Sequence, residues 1–331
     1  MRLLLSTGFF AFLASLALFA APAAAQDMIN PETLPCVSCH NETTLIVSKR
    51  AQMDESQHGK GEAFVRGGGT NCAGCHGSEG AEARIDAGLP PHHESVTGID
   101  NVSPMNCRTC HDVHKTYTLD DWSLTGDAQP VELEMTGTIF DGGEGNLCAN
   151  CHQSRNALPV AMNGEITIET TRFGPHHGIE AQMMLGEGGL GVRSRPNVHY
   201  KEVGDTCVDC HMGVVEEASN EPLSAVGRNH TFHAETDTCN ACHEDIDDFD
   251  YENVQSDVQA LMDEVQPLLV AAGIMDGSEG RETRSVEGTY PEEVVNAMWN
   301  YMVVLEDGSK GVHHPDWAKE LLEYARDVLS Q

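Results

Sequence analysis

The pentapeptide Cys148-Ala-Asn-Cys151-His152 is one of six copies of Cys-x-x-Cys-His, and together the copies use all 12 cysteines of the chain. The others are Cys36-Val-Ser-Cys39-His40, Cys72-Ala-Gly-Cys75-His76, Cys107-Arg-Thr-Cys110-His111, Cys207-Val-Asp-Cys210-His211 and Cys239-Asn-Ala-Cys242-His243. Cysteines three residues apart lie on the same face of a helical turn, so both sulfurs can bond one edge of a porphyrin. The histidine that follows then reaches the iron as its proximal ligand. The pattern predicts six covalently attached haem c groups, each with its iron.

Paired cysteines have three other common uses. Disulfides are compatible with an exported chain, and three zinc sites with four cysteines each would also use all 12. Neither use explains why a histidine follows every pair. A thioredoxin-like redox pair occurs once, inside a βαβ pattern, and no such pattern surrounds these motifs. Haem attachment is therefore the favoured interpretation.

The histidines are numerous enough to give each iron a second axial ligand. Six of the 17 belong to the motifs, and 11 remain for at most six distal positions. We expect about six distal ligands among His58, His93, His114, His176, His177, His199, His230 and His313. Because His114 follows His111 by three residues, both point the same way on a helix, so His114 is expected to serve a neighbouring haem. Iron with two histidine ligands has no vacant position for a substrate, which favours electron transfer.

The first 25 residues have the features of a secretory signal peptide. A basic residue precedes an apolar run from Leu3 to Ala21, and three alanines precede the expected cleavage before Gln26. We therefore expect the mature protein in the periplasm or outside the cell, without a transmembrane or lipid anchor. The chain carries 52 acidic residues against 19 Lys and Arg. This charge disfavours nucleic acid and anionic lipid, and favours a basic redox partner protein or simply a soluble surface.

The apolar composition predicts an unusual interior. Residues 26–331 keep only five Phe, six Tyr and three Trp, so flat apolar haems are expected to supply much of the core. The expected fold is mainly α with extensive irregular loops, in which residues 26–252 wrap around six haems. Beyond Cys242 the composition changes, and apolar residues recur at helical spacing, with Pro291 and Pro315 placed for helix starts. Residues 253–331 are therefore predicted to form a helical subdomain that packs on the haem domain.

These motifs resemble those of exported multihaem c-type cytochromes, the group related to cytochrome c nitrite reductase, hydroxylamine oxidoreductase and octahaem reductases. The local resemblance covers Ser56-Gln57-His58-Gly59, Cys110-His111-Asp-Val-His114, Gly174-Pro175-His176-His177-Gly178, Asn229-His230-Thr231-Phe232 and Gly311-Val312-His313-His314-Pro315. It implies distal ligation by His58, His114, His177, His230 and, from outside the motifs, His313. The chain departs from these enzymes because it lacks the Cys-x-x-Cys-Lys motif of the nitrite reductases.

Three functions are compatible with this sequence. The favoured one is electron transfer through six haems with two histidine ligands each. A terminal reductase or oxidase of a small nitrogen or sulfur oxyanion would require one haem with an open distal face, and surplus histidine argues against that. Polymerisation into an extracellular cytochrome filament would be marked by ligands donated between subunits, and the single chain has no histidine deficit.

Overall fold

The computed structural model describes residue 40 and residues 45–215, 227–244 and 246–331. The predicted signal peptide, Cys36 and Cys39 lie outside these ranges. Short helices joined by irregular loops make up most of the described chain, which confirms the predicted fold class. None of the helices found in this part of the chain is both long enough and apolar enough to cross a membrane.

Within residues 45–211, which the structure describes, there are nine short α-helices. They are α1 (Leu45–Glu55), α2 (Gln57–Lys60), α3 (Ala73–His76), α4 (Ser78–Asp86), α5 (Cys107–Cys110), α6 (Asn146–Ala149), α7 (Glu180–Leu185), α8 (Val198–Glu202) and α9 (Cys207–His211). Single 3-10 turns lie between them and beyond them, including Thr236–Ala241 at the last motif. The motif helices are only four or five residues long, too short to be stable without tertiary contacts.

The strands are short and pair only in twos. They are β1 (Val131–Glu132), β2 (Ile139–Phe140), β3 (Glu165–Ile168), β4 (Val214–Val215), β5 (Gly227–Arg228) and β6 (Gly288–Pro291). The antiparallel pairs are β1 with β2, β3 with β6, and β4 with β5. The sequence predicts a strand over Glu165 to Thr171, and the observed strand covers its first four residues.

Three longer helices form the C-terminal part, namely α10 (Val254–Ala271), α11 (Glu292–Asp307) and α12 (Pro315–Leu329). Pro315 occupies the first helical position of α12, where its missing N–H costs nothing. Pro291 directly precedes α11, and α10 continues through Pro267. Helix α12 packs against both α10 and α11, so the three predicted helices pack together.

The largest apolar core lies among these helices and the segments that cover them. Trp299, Trp317 and Leu321 are fully buried there, with Ile168 and Met183 from earlier in the chain. The indole N–H of Trp299 donates to the Gly188 carbonyl at 2.8 Å, which satisfies its polar group. The C-terminal helices thus have an apolar core made of side chains, whereas the sequence led us to expect haems to supply much of the core. A second, smaller cluster around Leu133 and Phe140 lies beside the motif helices.

Candidate haem sites

Each described motif folds into one helical turn that brings its first cysteine and its histidine together. The His76 N–H donates to the Cys72 carbonyl at 2.9 Å, and the corresponding bond recurs with the same length at His111, His152 and His243. At α5 the turn is capped, because the Asn106 side chain accepts from the Arg108 N–H and Thr109 accepts from the Asn106 N–H. This local geometry matches what attachment of one porphyrin edge requires.

The described cysteines do not form the alternative sites. All ten have free thiols, so no disulfide joins them. Within the same residues, no group of three or more His, Cys, Asp or Glu side chains is arranged to hold a metal ion such as zinc. The thiols of different motifs nevertheless contact each other in two places, Cys75 with Cys151 and Cys148 with Cys207.

Each motif histidine faces one histidine from elsewhere in the chain. The ring centres of the facing pairs are 5.9–6.4 Å apart. The pairs are His40 with His114, His76 with His176, His111 with His230, His152 with His58, His211 with His313, and His243 with His199. Sites 1 to 6 are the motifs in chain order, each taken together with its facing histidine. No histidine occurs in two of these pairs.

This separation has a chemical meaning. A bond from a metal to an imidazole nitrogen is about 2 Å long, so two in line place the ring centres about 6 Å apart once half of each ring is added. The observed 5.9–6.4 Å therefore leaves room for one metal ion between each pair. Direct stacking of two imidazoles would bring the rings closer.

Five histidines stand outside these pairs. His92 contacts Glu134, His93 contacts Ser95, and Nε2 of His314 donates to the Arg195 carbonyl. His177, which the family resemblance implied as a ligand, contacts the Glu306 carboxylate, and its neighbour His176 is the residue that faces His76. His233 also faces no motif histidine among the described residues. Of the eight distal candidates, His93 and His177 are the two that the structure does not place opposite a motif.

In five of the paired rings, a hydrogen bond at Nδ1 leaves Nε2 as the nitrogen that can bind a metal. Nδ1 of His111, His199, His211 and His230 lies 2.8–3.1 Å from the backbone carbonyls of Trp122, Val312, Phe232 and Arg228 respectively. Nδ1 of His313 lies 2.6 Å from the Asp307 carboxylate. A metal-binding histidine commonly donates its second ring N–H to such an oxygen, which fixes the tautomer and the ring orientation.

The surroundings shift the pKa of several paired histidines, some downward and two upward. Burial lowers the pKa of His58, His176 and His230 to about 4, which keeps these rings neutral and able to bind a metal at pH 7. The Glu180 carboxylate, in contrast, raises the pKa of His152 to about 9 against the effect of burial. Burial also lowers the pKa of His313, but Asp307 outweighs it and raises the value to about 9. Two of the sites thus have a carboxylate beside one of their rings.

These residues fit haem c. The cysteine pair of each described motif can anchor a porphyrin edge, the motif histidine can bind the iron from one face, and the facing histidine can bind it from the other. The lowered pKa of His58, His176 and His230, and the Nδ1 hydrogen bonds of five paired rings, suit binding of a metal at Nε2. At site 1 only His40 of the motif lies within the described residues.

Neighbouring sites are in contact through their own residues. Cys75 of site 2 contacts Cys151 of site 4, and Cys148 of site 4 contacts Cys207 of site 5. His111 of site 3 and His114 of site 1 are three residues apart in sequence. Cys239 of site 6 lies close enough to Cys210 of site 5 to contribute to raising the pKa of the Cys210 thiol. Cys110 of site 3 lies close enough to Cys151 of site 4 for that thiol to raise the pKa of Cys110. These contacts and proximities join sites 1, 3, 4, 5 and 6 in that order, with site 2 joined to site 4.

Arg84 binds sites 2 and 4 together from the interior. It is 1% exposed and donates to the Gly74 carbonyl at 2.5 Å and to the Asn150 carbonyl at 2.7 Å. It also contacts the Asn150 side chain at 3.1 Å and the Cys151 sulfur at 3.3 Å. Sequence reasoning did not single out Arg84, Glu180 or Asp307, because nothing in their spacing relates them to the motifs.

Comparisons with known proteins agree with this description. Residues 23–112 match the family described as cytochrome c7 and related cytochrome c, and residues 194–331 match the family described as cytochrome c552. The fold resembles that in the crystal structure of the outer cell wall cytochrome OcwA, with a TM-score of 0.54 and 21% sequence identity. The similarity covers 85% of this chain and 50% of OcwA, so the chain spans about half the length of that protein. The two family matches and the shared fold together support a multihaem c-type cytochrome.

Proposed function

We propose that this protein transfers electrons outside the cytoplasm through six haem c groups, each held by two axial histidines. The observation that carries the proposal is the one-to-one pairing of six motif histidines with six others at 5.9–6.4 Å. A bound haem would supply one reversible one-electron centre at each site. The nitrite reductase and hydroxylamine oxidoreductase relationship is not needed for this proposal.

The chain's own residues have two roles in this function. At each site the two paired rings would bind the iron from opposite sides and would keep water and other small ligands from it. Hydrogen bonds at Nδ1 hold five of these rings in place, so little has to move there when the charge at a site changes. An enzyme acting on a small oxyanion would need a motif histidine without a facing partner, and each of the six motif histidines has one.

The contacts between sites support a continuous route. Sites 1, 3, 4, 5 and 6 follow one another through residues that lie close together, and site 2 joins at site 4 through Cys75, Cys151 and Arg84. Site 4 is therefore the junction of the proposed route. The six facing histidines come from the same chain as the motifs, which favours single-chain electron transfer over the alternative of a filament with ligands donated between subunits.

Export is part of the proposal. The apolar N-terminal segment, residues 1–25, has the composition of a signal peptide, and haem attachment through Cys-x-x-Cys-His is expected outside the cytoplasm. The name of OcwA describes a cytochrome of the outer cell wall, which is compatible with an exported location here. The excess of acidic residues favours a basic protein as redox partner.

The test is a haem count combined with spin-state spectroscopy on the purified holoprotein. Mass spectrometry and the pyridine haemochrome assay should give six haems per chain. Electron paramagnetic resonance of the oxidised protein should show only low-spin iron, unchanged by nitrite or cyanide. Fewer haems, or a high-spin signal that responds to these ligands, would contradict six sites with two histidines each.

A further inference from the structure

A buried carboxylate contacts one of the paired histidines at the end of a helix. Asp307 is the last residue of α11, 4% exposed, and its Oδ1 lies 2.6 Å from Nδ1 of His313 at site 5. Its other oxygen accepts from the backbone N–H of Ser309 at 3.2 Å and from the Ser309 hydroxyl. Both carboxylate oxygens therefore have partners, and His313 is held in one orientation.

This position is unfavourable for an acid in purely structural terms. The C-terminal end of a helix carries a partial negative charge, and burial of a carboxylate removes it from water. A neutral side chain could accept from Ser309 and end the helix equally well, because Gly308 supplies the left-handed residue that follows, with φ 72°. The negative charge of Asp307 is thus not explained by the stability of α11.

A second carboxylate lies in an equivalent place at site 4. The Glu180 carboxylate, on the first residue of α7, is 3.3 Å from Nδ1 of His152. Its Oε2 atom is buried and has no hydrogen-bond partner among the described residues. The 3.3 Å between Glu180 and His152 is the separation of an ion pair, and it is longer than the 2.6 Å between Asp307 and His313.

Other paired rings have a neutral partner at the same atom. At site 3, Nδ1 of His111 and of His230 lie 2.8 and 2.9 Å from backbone carbonyls. At site 6, Nδ1 of His199 lies 3.1 Å from the Val312 carbonyl. A carboxylate at Nδ1 makes the imidazole a stronger electron donor than a carbonyl does, and it favours the more positive state of a metal bound at Nε2.

We infer that Asp307 and Glu180 are positioning residues that act through His313 and His152 to lower the reduction potentials at sites 5 and 4. The inference rests on the proposed function, because it requires that these histidines bind iron. Site 5, with the shorter and better aligned contact, has the larger effect. Electrons on the route are then held less tightly at these two sites than they would be with neutral partners.

The test is the Asp307→Asn variant of the holoprotein, followed by potentiometric titration with optical and paramagnetic resonance detection. Asparagine keeps an acceptor of the same shape for His313 and removes the charge. We expect one of the haem potentials to rise by about 59 mV, a tenfold change in the equilibrium constant of a one-electron couple. The g-values of one low-spin signal should change with it.

The matched control is Glu306→Gln. Glu306 is the adjacent residue, is also buried at 5% exposure, and contacts His177, which faces no motif histidine. We expect no potential to shift in this variant. A shift equal to that of Asp307→Asn would overturn the inference. It would show that any buried charge in this region changes the potential, whether or not it contacts a paired histidine.

The remaining outcomes separate the inference from the function on which it rests. If wild-type protein holds six low-spin haems and neither Asp307→Asn nor Glu180→Gln moves a potential, the inference is wrong and the function stands. If wild-type protein has fewer haems or open iron, the proposed function itself is wrong. Should Asp307→Asn fail to mature, Glu180→Gln provides the decisive measurement at site 4, with a smaller rise expected.

Discussion

The sharpest prediction distinguishes two adjacent histidines. The ring of His176 lies 6.4 Å from that of His76, whereas His177 contacts the Glu306 carboxylate. His176 has φ 72°, a left-handed conformation that costs a residue with a side chain about 1 kcal/mol or more. The surrounding structure maintains this strained conformation, in which the His176 ring faces His76. We expect His176→Ala to open one iron and His177→Ala to open none.

The size of the effect follows from the number of sites. One of six irons should become high spin, so about one sixth of the haem should give a new high-spin resonance. Cyanide should bind with a stoichiometry of one per chain, because the other five pairs remain complete. Electron paramagnetic resonance of the oxidised variant and an optical cyanide titration measure these two quantities on the same sample.

The double variant keeps this prediction falsifiable. His177 lies 5.2 Å from His176 between ring centres, close enough to move into an emptied position. If His176→Ala remains low spin, the double variant with His177→Ala must become high spin. An opened iron in His177→Ala alone, with His176→Ala unchanged, would refute the pairing of His176 with His76.

Further predictions concern stability and the junction of the route. Arg84→Met should lower the free energy of unfolding by about 3–5 kcal/mol, because it leaves buried carbonyl groups without donors. Arg50→Met, on an exposed helix face with only an Asp54 contact, should change it by about 0.5 kcal/mol or less; guanidinium chloride unfolding measures both. Leu321→Ala should cost about 2–5 kcal/mol in the same assay with the haem count unchanged, since Leu321 is fully buried in the C-terminal core. Replacement of Cys148 and Cys151 by serine should remove one haem by mass spectrometry. It should also make reduction by dithionite biphasic, because site 4 connects sites 2, 3 and 5; a single unchanged phase would contradict that connection.

The sequence alone could predict the sites because covalent spacing sets them. Two cysteines and a histidine within five residues need one helical turn and little else, and the described motifs form that turn. The facing histidines depend on contacts between distant segments, so composition could give their number and not their partners. His176 and His177 were not separable by spacing, since a backbone conformation at φ 72° decides which ring faces His76.

Parts of the fold were unpredictable for the same reason. The alternation in Glu165 to Thr171 predicted a strand, and its partner β6 lies more than 120 residues later. The scarcity of aromatic residues suggested that haems would supply most of the core. The structure places Trp299 and Trp317 together in the C-terminal helices, so two of the three tryptophans serve one region. Glu180 and Asp307 are two of many acids, and only their positions relative to His152 and His313 distinguish them.

The facing histidines have a consequence for maturation. His199 and His243 are 44 residues apart, and His111 and His230 are 119 residues apart. An iron bound by both members of a pair would therefore act as a reversible cross-link, closing a long loop of polypeptide much as a disulfide does. Loop closure on this scale restricts the unfolded chain by about 4 kcal/mol per link. His313 lies 102 residues after His211, so site 5 could be completed only after the polypeptide as far as His313 had been exported. Attachment to the cysteines and final ligation of the metal would thus be separate events in the life of the protein.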